Sequence, residues 1–489
     1  MDTEIVEFAR SFRRLAEDVH RLVPENGELS EVGRHVEEFL GVPLAEVEPV
    51  SETFPPHQVV DLDLALDSLI TEYAGARRGI AGSHRIHVDS FGEFLSGVMG
   101  FRLGAVGYER RPTGPDSDRR VVGFGLGEVR FEGTPLVWLQ RSASPQYGRD
   151  RYSLEVMSPN RDVTDRFLTQ VHQRMAELSI LRGQVISFVR NDFDYHAAGA
   201  RLTFLHRPEV TADQVILPGG VRERVVRHVV GISEQRETLQ EAGQHLKRGV
   251  LLYGPPGTGK THLVRHLLSQ TPGTTAVLLS GRTLGLLNDA TALARAAQPA
   301  MVVLEDCDLV AEHRGGETNA VLFETLEAMD GLAPDADITF ILTTNRVDLL
   351  ERALVERPGR VDLAVEITKP DQEDRERLFR LYAADLLAAG RLSERTVHTA
   401  AARTEGVTAS FTKELIRRCV VNAALAGRAP EDADVSHALD EMLSDAESLT
   451  RTLLGGENGS FPMPDEAYPG PIGPEPGLAP GGWTAAPGF

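Results

Sequence analysis

The run Gly254-Pro255-Pro256-Gly257-Thr258-Gly259-Lys260-Thr261 fits the pattern G-x-x-x-x-G-K-[ST] at every fixed position. A triphosphate needs a ring of backbone N–H donors, and glycines let the chain curl tightly enough to supply it. In such a loop Lys260 reaches the β- and γ-phosphates, and the Thr261 hydroxyl holds Mg²⁺.

Four further groups of residues extend that chemistry. The apolar run Met301-Val302-Val303-Leu304 ends in Glu305-Asp306-Cys307-Asp308, where a metal-holding and a water-activating carboxylate belong. A second apolar run, Ile338 to Leu342, ends in Thr343-Thr344-Asn345, whose amide is suited to orienting an attacking water. Arg357 and Arg360 flank a Pro358-Gly359 turn and can offer positive charge to a neighbour's γ-phosphate. Glu324 to Leu332 reads as the helix between the acids and Asn345.

The elements around the loop suit it. Gly249 to Tyr253 is a short apolar run read as a buried strand, and Thr261 to Leu268 opens a helix, whose N-terminus favours anions. From 211 to 370 strands and helices alternate, the pattern of a parallel sheet with helices on both faces. Residues 371–454 read as a small helical subdomain, and the Gly- and Pro-rich 455–489 as a disordered tail. Residues 1–210 read as a separate α+β domain, helical to about 75 and β-rich from 76. Its expected helices cover about 2–23, 28–40, the stretch after Pro55-Pro56 to about Tyr73, and 161–181. Its expected strands are 104–109, 120–126, 128–132, 135–140, 152–158, 184–189 and 201–205.

The chain has 489 residues, enough for two to four domains, and a net charge of −21. Such acidity argues against general nucleic-acid or anionic-membrane binding. No apolar stretch approaches the ~20 residues that span a bilayer. The acidic start, Met1-Asp2-Thr3-Glu4, does not read as a signal peptide. Cys307 and Cys419 are the only cysteines, which fits a reducing cytoplasm.

Over roughly 220–450 the motifs, in order and spacing, resemble the AAA-family ATPases of the AAA+ superfamily. The resemblance implies a P-loop NTPase sheet with a helical lid, ATP and Mg²⁺ as ligands, and ATP hydrolysis. It makes 254–261 the Walker A motif and Glu305-Asp306 the Walker B acids, with Glu305 reaching Mg²⁺ partly through water. It makes Asn345 the sensor-1 residue and Arg357 and Arg360 arginine fingers acting on the next subunit. It places the adenine near Val230-Gly231-Ile232. Fingers given in trans imply a homo-oligomeric ring, usually a hexamer, that remodels a protein chosen by the N-terminal domain.

The chain departs from that family in three places. Walker B usually ends Asp-Glu, whereas here Glu305 precedes Asp306, so each acid differs from the usual by one methylene. The Leu304-Glu305-Asp306-x-Asp308 ending resembles the mitochondrial AAA family that moves a folded Rieske protein. The stretch 280–289, where a first pore loop is expected, has no aromatic residue; Leu286 and Leu287 could grip a chain or pack beneath the ring. The Pro487-Gly488-Phe489 end lacks the hydrophobic-Tyr-x tripeptide of proteasome-activating rings.

Smaller signals stay open in either direction. Ser410 is a plausible helix cap, and Lys413 could contact nucleotide or be a solvated surface residue. Asp61, Asp63 and Asp67 read as a solvated helix face. His84 and His87 lack further ligands nearby, and Trp483 with Phe489 could form a short binding motif. Three functions remain at this level: an ATP-driven remodeller, a nucleotide-gated scaffold with little turnover, and a nucleic-acid-associated AAA protein.

Overall fold

The computed structural model describes residues 29–82, 88, 90–144, 149, 151–189, 201–307, 331, 336–346 and 361–444. The N-terminal part runs α1 (Glu31–Leu40), β1 (Val50–Phe54), α2 (Val59–Glu72), β2 (Ala76–Ala81), α3 (Phe91–Leu95), β3 (Arg102–Gly104), β4 (Gly107–Pro112), β5 (Asp118–Phe131), β6 (Thr134–Arg141), β7 (Tyr152–Met157) and α4 (Arg161–Glu177). Among the described residues its strands form one antiparallel sheet, ordered β1-β7-β6-β5-β2-β3, with β4 also on β5.

Strand alternation sorts side chains to two faces. Leu136 and Trp138 of β6 pack with Leu62, Leu66 and Phe167 from α2 and α4. Val137 and Leu139 pack with Val32, Val36 and Phe94 from α1 and α3.

Two expectations change here. The strands read at 120–126 and 128–132 are one strand, because Gly127 is not a break: a Cβ there would collide with the Trp138 indole packed across it. Asp61 and Asp63 are not a solvated face, being only 4% and 1% exposed. Asp63 pairs with Arg77 at 3.0 Å and accepts the Val122 N–H at 3.1 Å, so a partner offsets burial of the charge.

The second part contains β8 (Val185–Val189), β9 (Arg201–Leu205), α5 (Val221–Val226), α6 (Arg236–Glu241), β10 (Arg248–Tyr253), α7 (Lys260–Gln270), β11 (Thr275–Ser280), α8 (Leu287–Ala296), β12 (Ala300–Glu305), β13 (Ile338–Thr344) and β14 (Leu363–Glu366). These strands form a sheet ordered β14-β10-β13-β12-β11-β8-β9, parallel except for the antiparallel β8–β9 pair. Both faces are covered, as a parallel sheet requires. Met301 and Val303 of β12 pack with Leu263, Val264 and Leu267 of α7. Val302 and Leu304 pack with Leu287, Ala290 and Leu293 of α8.

The sheets also divide the chain before residue 210. Strands 184–189 and 201–205, expected in the first domain, belong to the second sheet, where Ile186, Phe188 and Phe204 share the α8-side core. A β-rich composition cannot reveal which of two sheets a strand joins.

Five helices follow: α9 (Gln372–Tyr382), α10 (Ala384–Ala388), α11 (Glu394–Arg403), α12 (Ala409–Leu425) and α13 (Asp432–Leu443). They enclose a core of their own that includes Phe379, Phe411, Leu415, Cys419 and Leu439. Helix α9 starts where Asp371 accepts the Asp374 N–H, and α11 where Ser393 accepts the Thr396 N–H. Thr408, not Ser410, occupies the N-cap position of α12.

No helix among the described residues is long and apolar enough to cross a membrane. The helix expected at 2–23, His84, His87, Asp308, Arg357, Arg360, most of the 324–332 helix and the 455–489 tail lie outside the described residues.

Candidate nucleotide-binding site

The site forms at the C-terminal edge of three neighbouring strands, β10, β13 and β12, where α/β sheets place their ligands. After Tyr253 the chain turns through Gly254, Gly257 and Gly259, with φ of 137°, 75° and 109°. These are left-handed conformations that residues with a Cβ rarely adopt. At Gly254 a Cβ would also strike the Ile367 carbonyl. Thr258 pins the curl by donating its hydroxyl to the Pro255 carbonyl at 2.9 Å.

Lys260 opens α7 and is only 6% exposed. Its Nζ donates to the carbonyls of Gly254 at 2.7 Å and Pro255 at 2.8 Å. A buried ammonium facing into a glycine loop at a helix N-terminus is a donor set for a phosphate. Pro256 completes the loop between these residues.

Glu305 ends β12 on the same face as Met301 and Val303, the face covered by α7. That parity brings it beside Thr261, whose side chain favours its charged form. Burial first, and the neighbouring Asp306 charge second, push the Glu305 carboxyl above the usual carboxylate range, while Arg265 and Thr261 pull it down. Oxygen donors from Thr261 and Glu305 suit a hard divalent cation. Arg265 escaped sequence reading because nothing in its spacing separates it from the other arginines of this arginine-rich chain.

Asp306 lies just past the strand end. Its carboxylate accepts from Asn345 Nδ2 at 3.5 Å, so the acid and the amide meet across the β12 and β13 termini. Thus the structure brings together Lys260, Thr261, Glu305, Asp306 and Asn345.

Gly231 ends a π-helical turn, Arg227–Gly231, and Ile232 follows it, half-buried. Against the loop stands Leu217, whose Cδ2 is 3.3 Å from the position of a Cβ on Gly259. Upstream, His262 Nε2 donates to the Gln214 carbonyl at 3.0 Å and His266 Nδ1 to the Val210 carbonyl at 2.8 Å. The segment 210–217 therefore lies along α7, and sequence reasoning missed it. Its signal was the apolar Val215-Ile216-Leu217 ahead of Pro218-Gly219-Gly220.

The helical subdomain reaches the loop as well. Ser410 N–H donates to the Gly257 carbonyl at 3.2 Å. Lys413, on the same helix, is exposed. Leu287 is 1% exposed and Leu286 packs against the α8-side core, so both take the packing alternative. Cys307 is likewise a buried residue of that core.

Residues 250–369 match the model of the "ATPase family associated with various cellular activities (AAA)". The chain is 33% identical over 196 residues to proteasome-activating nucleotidase 1 of Haloferax volcanii, covering 36% of this chain and 47% of that protein. It is 29% identical over 270 residues to the ATP-dependent zinc metalloprotease FtsH 3 of Sphaerobacter thermophilus, covering 52% and 54%. It is 32% identical over 176 residues to the 26S protease regulatory subunit 6A of Caenorhabditis elegans, covering 33% and 41%. The chain thus spans about half the length of the curated relatives it matches. Glycine cradle, buried lysine, paired acids and strand-end asparagine all fall within the segment, residues 250–369, that matches the AAA model.

Proposed function

We propose that this chain binds ATP with Mg²⁺, hydrolyses it, and uses the cycle to remodel a protein or protein complex as an oligomeric ring. The observation that carries the reading is that the glycine loop holding Lys260 follows one strand end while Glu305, Asp306 and Asn345 lie at the ends of its neighbours. The loop N–H groups and Lys260 hold the β- and γ-phosphates. Thr261 and Glu305 would hold the cation through their oxygens. When bound, the cation neutralises charge on the phosphates.

Asp306 accepts a proton from water while Asn345 orients that water toward the γ-phosphorus. The water oxygen bonds to phosphorus, the bond to the β–γ bridging oxygen breaks, and ADP and phosphate leave. Arg357 and Arg360 are proposed to act on the ATP of the adjacent subunit, a contribution of about 10³–10⁵ in rate in other nucleotidases. Gly231 and Ile232 remain proposed neighbours of the base, although Leu217 is the apolar residue at the loop.

The Ser410–Gly257 hydrogen bond gives the helical subdomain a direct route for sensing the loop. The N-terminal sheet, on this reading, selects the protein substrate. A ring of these chains working in the cytoplasm is part of the same proposal.

A second reading, a nucleotide-gated scaffold with little turnover, is favoured by one observation: the acid order Glu305-Asp306 places the shorter carboxylate at the water-activating position. ATP turnover per subunit, measured against protein concentration, separates the two. A rate that rises with concentration supports a ring with arginines acting in trans. Tight ATP binding with no turnover at any concentration supports the scaffold.

A further inference from the structure

Asp306 has a φ of 51°, a left-handed conformation that is unfavourable for a residue with a Cβ. Aspartate tolerates it better than longer acids, because its short side chain can bond locally. Alternation along β12 would otherwise carry residue 306 to the α8 face with Val302 and Leu304. The turn ends the strand instead. Cys307 drops into the core, its thiol donating to the Leu304 carbonyl at 3.5 Å, and the Asp306 carboxylate comes to Asn345.

One contact secures that turn from the neighbouring strand. The β12–β13 ladder ends at the pair Leu304–Leu342. At the next residue of β13, Thr343 Oγ1 accepts the Asp306 N–H at 3.0 Å. Thr343 is 1% exposed, so its hydroxyl satisfies a donor that the ladder no longer reaches. Without that hydroxyl the part-buried Asp306 N–H would lose its partner.

We propose that Thr343 is a positioning residue for hydrolysis. Its hydroxyl fixes the left-handed turn at Asp306 and so sets the short carboxylate where Asn345 and the attacking water meet it. The inference rests on the hydrolase reading above. Thr343 touches no reacting atom on this account; it acts through the Asp306 amide alone. The acid order and the threonine then belong together: a carboxylate one methylene short is held in place by its backbone.

The test compares wild type, Thr343→Val and Thr343→Ser in the full chain. Valine keeps the branched shape without the hydroxyl; serine keeps the hydroxyl. The readouts are kcat and KM for Mg·ATP, the Kd of a fluorescent ATP analogue, and amide exchange in the nucleotide-free chain over the peptide containing Asp306. Thr343→Val is expected to lower kcat by about 10- to 100-fold, the scale of a carboxylate misplaced by about 1 Å. Its Kd should stay within about twofold, because the phosphate contacts are untouched, and the Asp306 amide should exchange faster. Thr343→Ser should keep near wild-type kcat and exchange. Thr343→Ala is a second hydroxyl-free chain if the valine unfolds it.

Equal losses in Val and Ser variants would mean packing rather than the hydroxyl, and would overturn the proposal. So would a kcat loss without faster exchange, or a wild-type kcat in Thr343→Val. A wild-type chain that binds ATP but never turns it over overturns the hydrolase reading, and this role with it. A wild type that turns over ATP beside an unaffected Thr343→Val overturns only the positioning role.

Discussion

The backbone N–H of Ser410, in the first turn of α12, donates to the carbonyl of Gly257 in the phosphate loop at 3.2 Å. This joins the helical subdomain to the residues expected to hold phosphate. Gly257 is also where that contact is most easily broken. It has a φ of 75°, and a Cβ there would lie 2.8 Å from Ser410 Oγ and 2.9 Å from Thr408 Oγ1. Gly257→Ala should weaken ATP binding by about tenfold or more and cost about 1–3 kcal/mol of stability, the range for a strained backbone position. Nucleotide titration and urea unfolding of the variant check both.

Glu305 lies beside Thr261, and on the proposed function the two share one cation. Glu305→Gln keeps the shape and removes the charge. The Mg²⁺ concentration for half-maximal turnover should rise by about tenfold or more, in line with the loss expected when a metal site loses a supporting group. EDTA should stop turnover in wild type. An unchanged Mg²⁺ dependence in Glu305→Gln would remove Glu305 from the site.

Asp61 joins the end of α4 to α2, accepting the Ser179 hydroxyl at 2.6 Å and the Ile180 N–H at 2.9 Å. Burial pushes its carboxyl up to about 6, against the opposing pull of those two donors and Arg182. A carboxyl raised on folding binds its proton more tightly in the folded chain. Its stabilising contribution is therefore complete below the ordinary carboxylate range and is lost as pH rises through about 6. Relative to wild type, Asp61→Asn should gain up to about 3 kcal/mol between pH 4 and pH 7, from roughly two pKa units. Parallel stability curves for the two proteins would exclude Asp61 as the titrating group.

Much of the site was legible because its parts are local. The loop glycines and Lys260 form one uninterrupted segment, and Glu305 and Asn345 each end an apolar run that reads as a buried strand. What escaped depends on contacts between distant segments. Leu217 reaches Gly259 only because 210–217 lies along α7, and Arg265 matters only once β12 delivers Glu305 beside it. Strands β8 and β9 were legible as strands, yet their sheet was not, since pairing is decided by packing of Ile186 and Phe204 far along the chain. Asp61 and Asp63 looked like surface residues because acidic spacing on a helix is silent about buried partners such as Arg77 and Ser179.

Steady-state ATP turnover by wild type and Asp306→Asn, with ATP affinity measured on both, tests the proposed hydrolysis most directly. Wild-type turnover should be measurable and should fall by about a hundredfold or more in Asp306→Asn, as when a general base and its positioning are lost, while ATP still binds. Equal turnover in the two proteins, or none in either despite tight binding, would contradict the proposal.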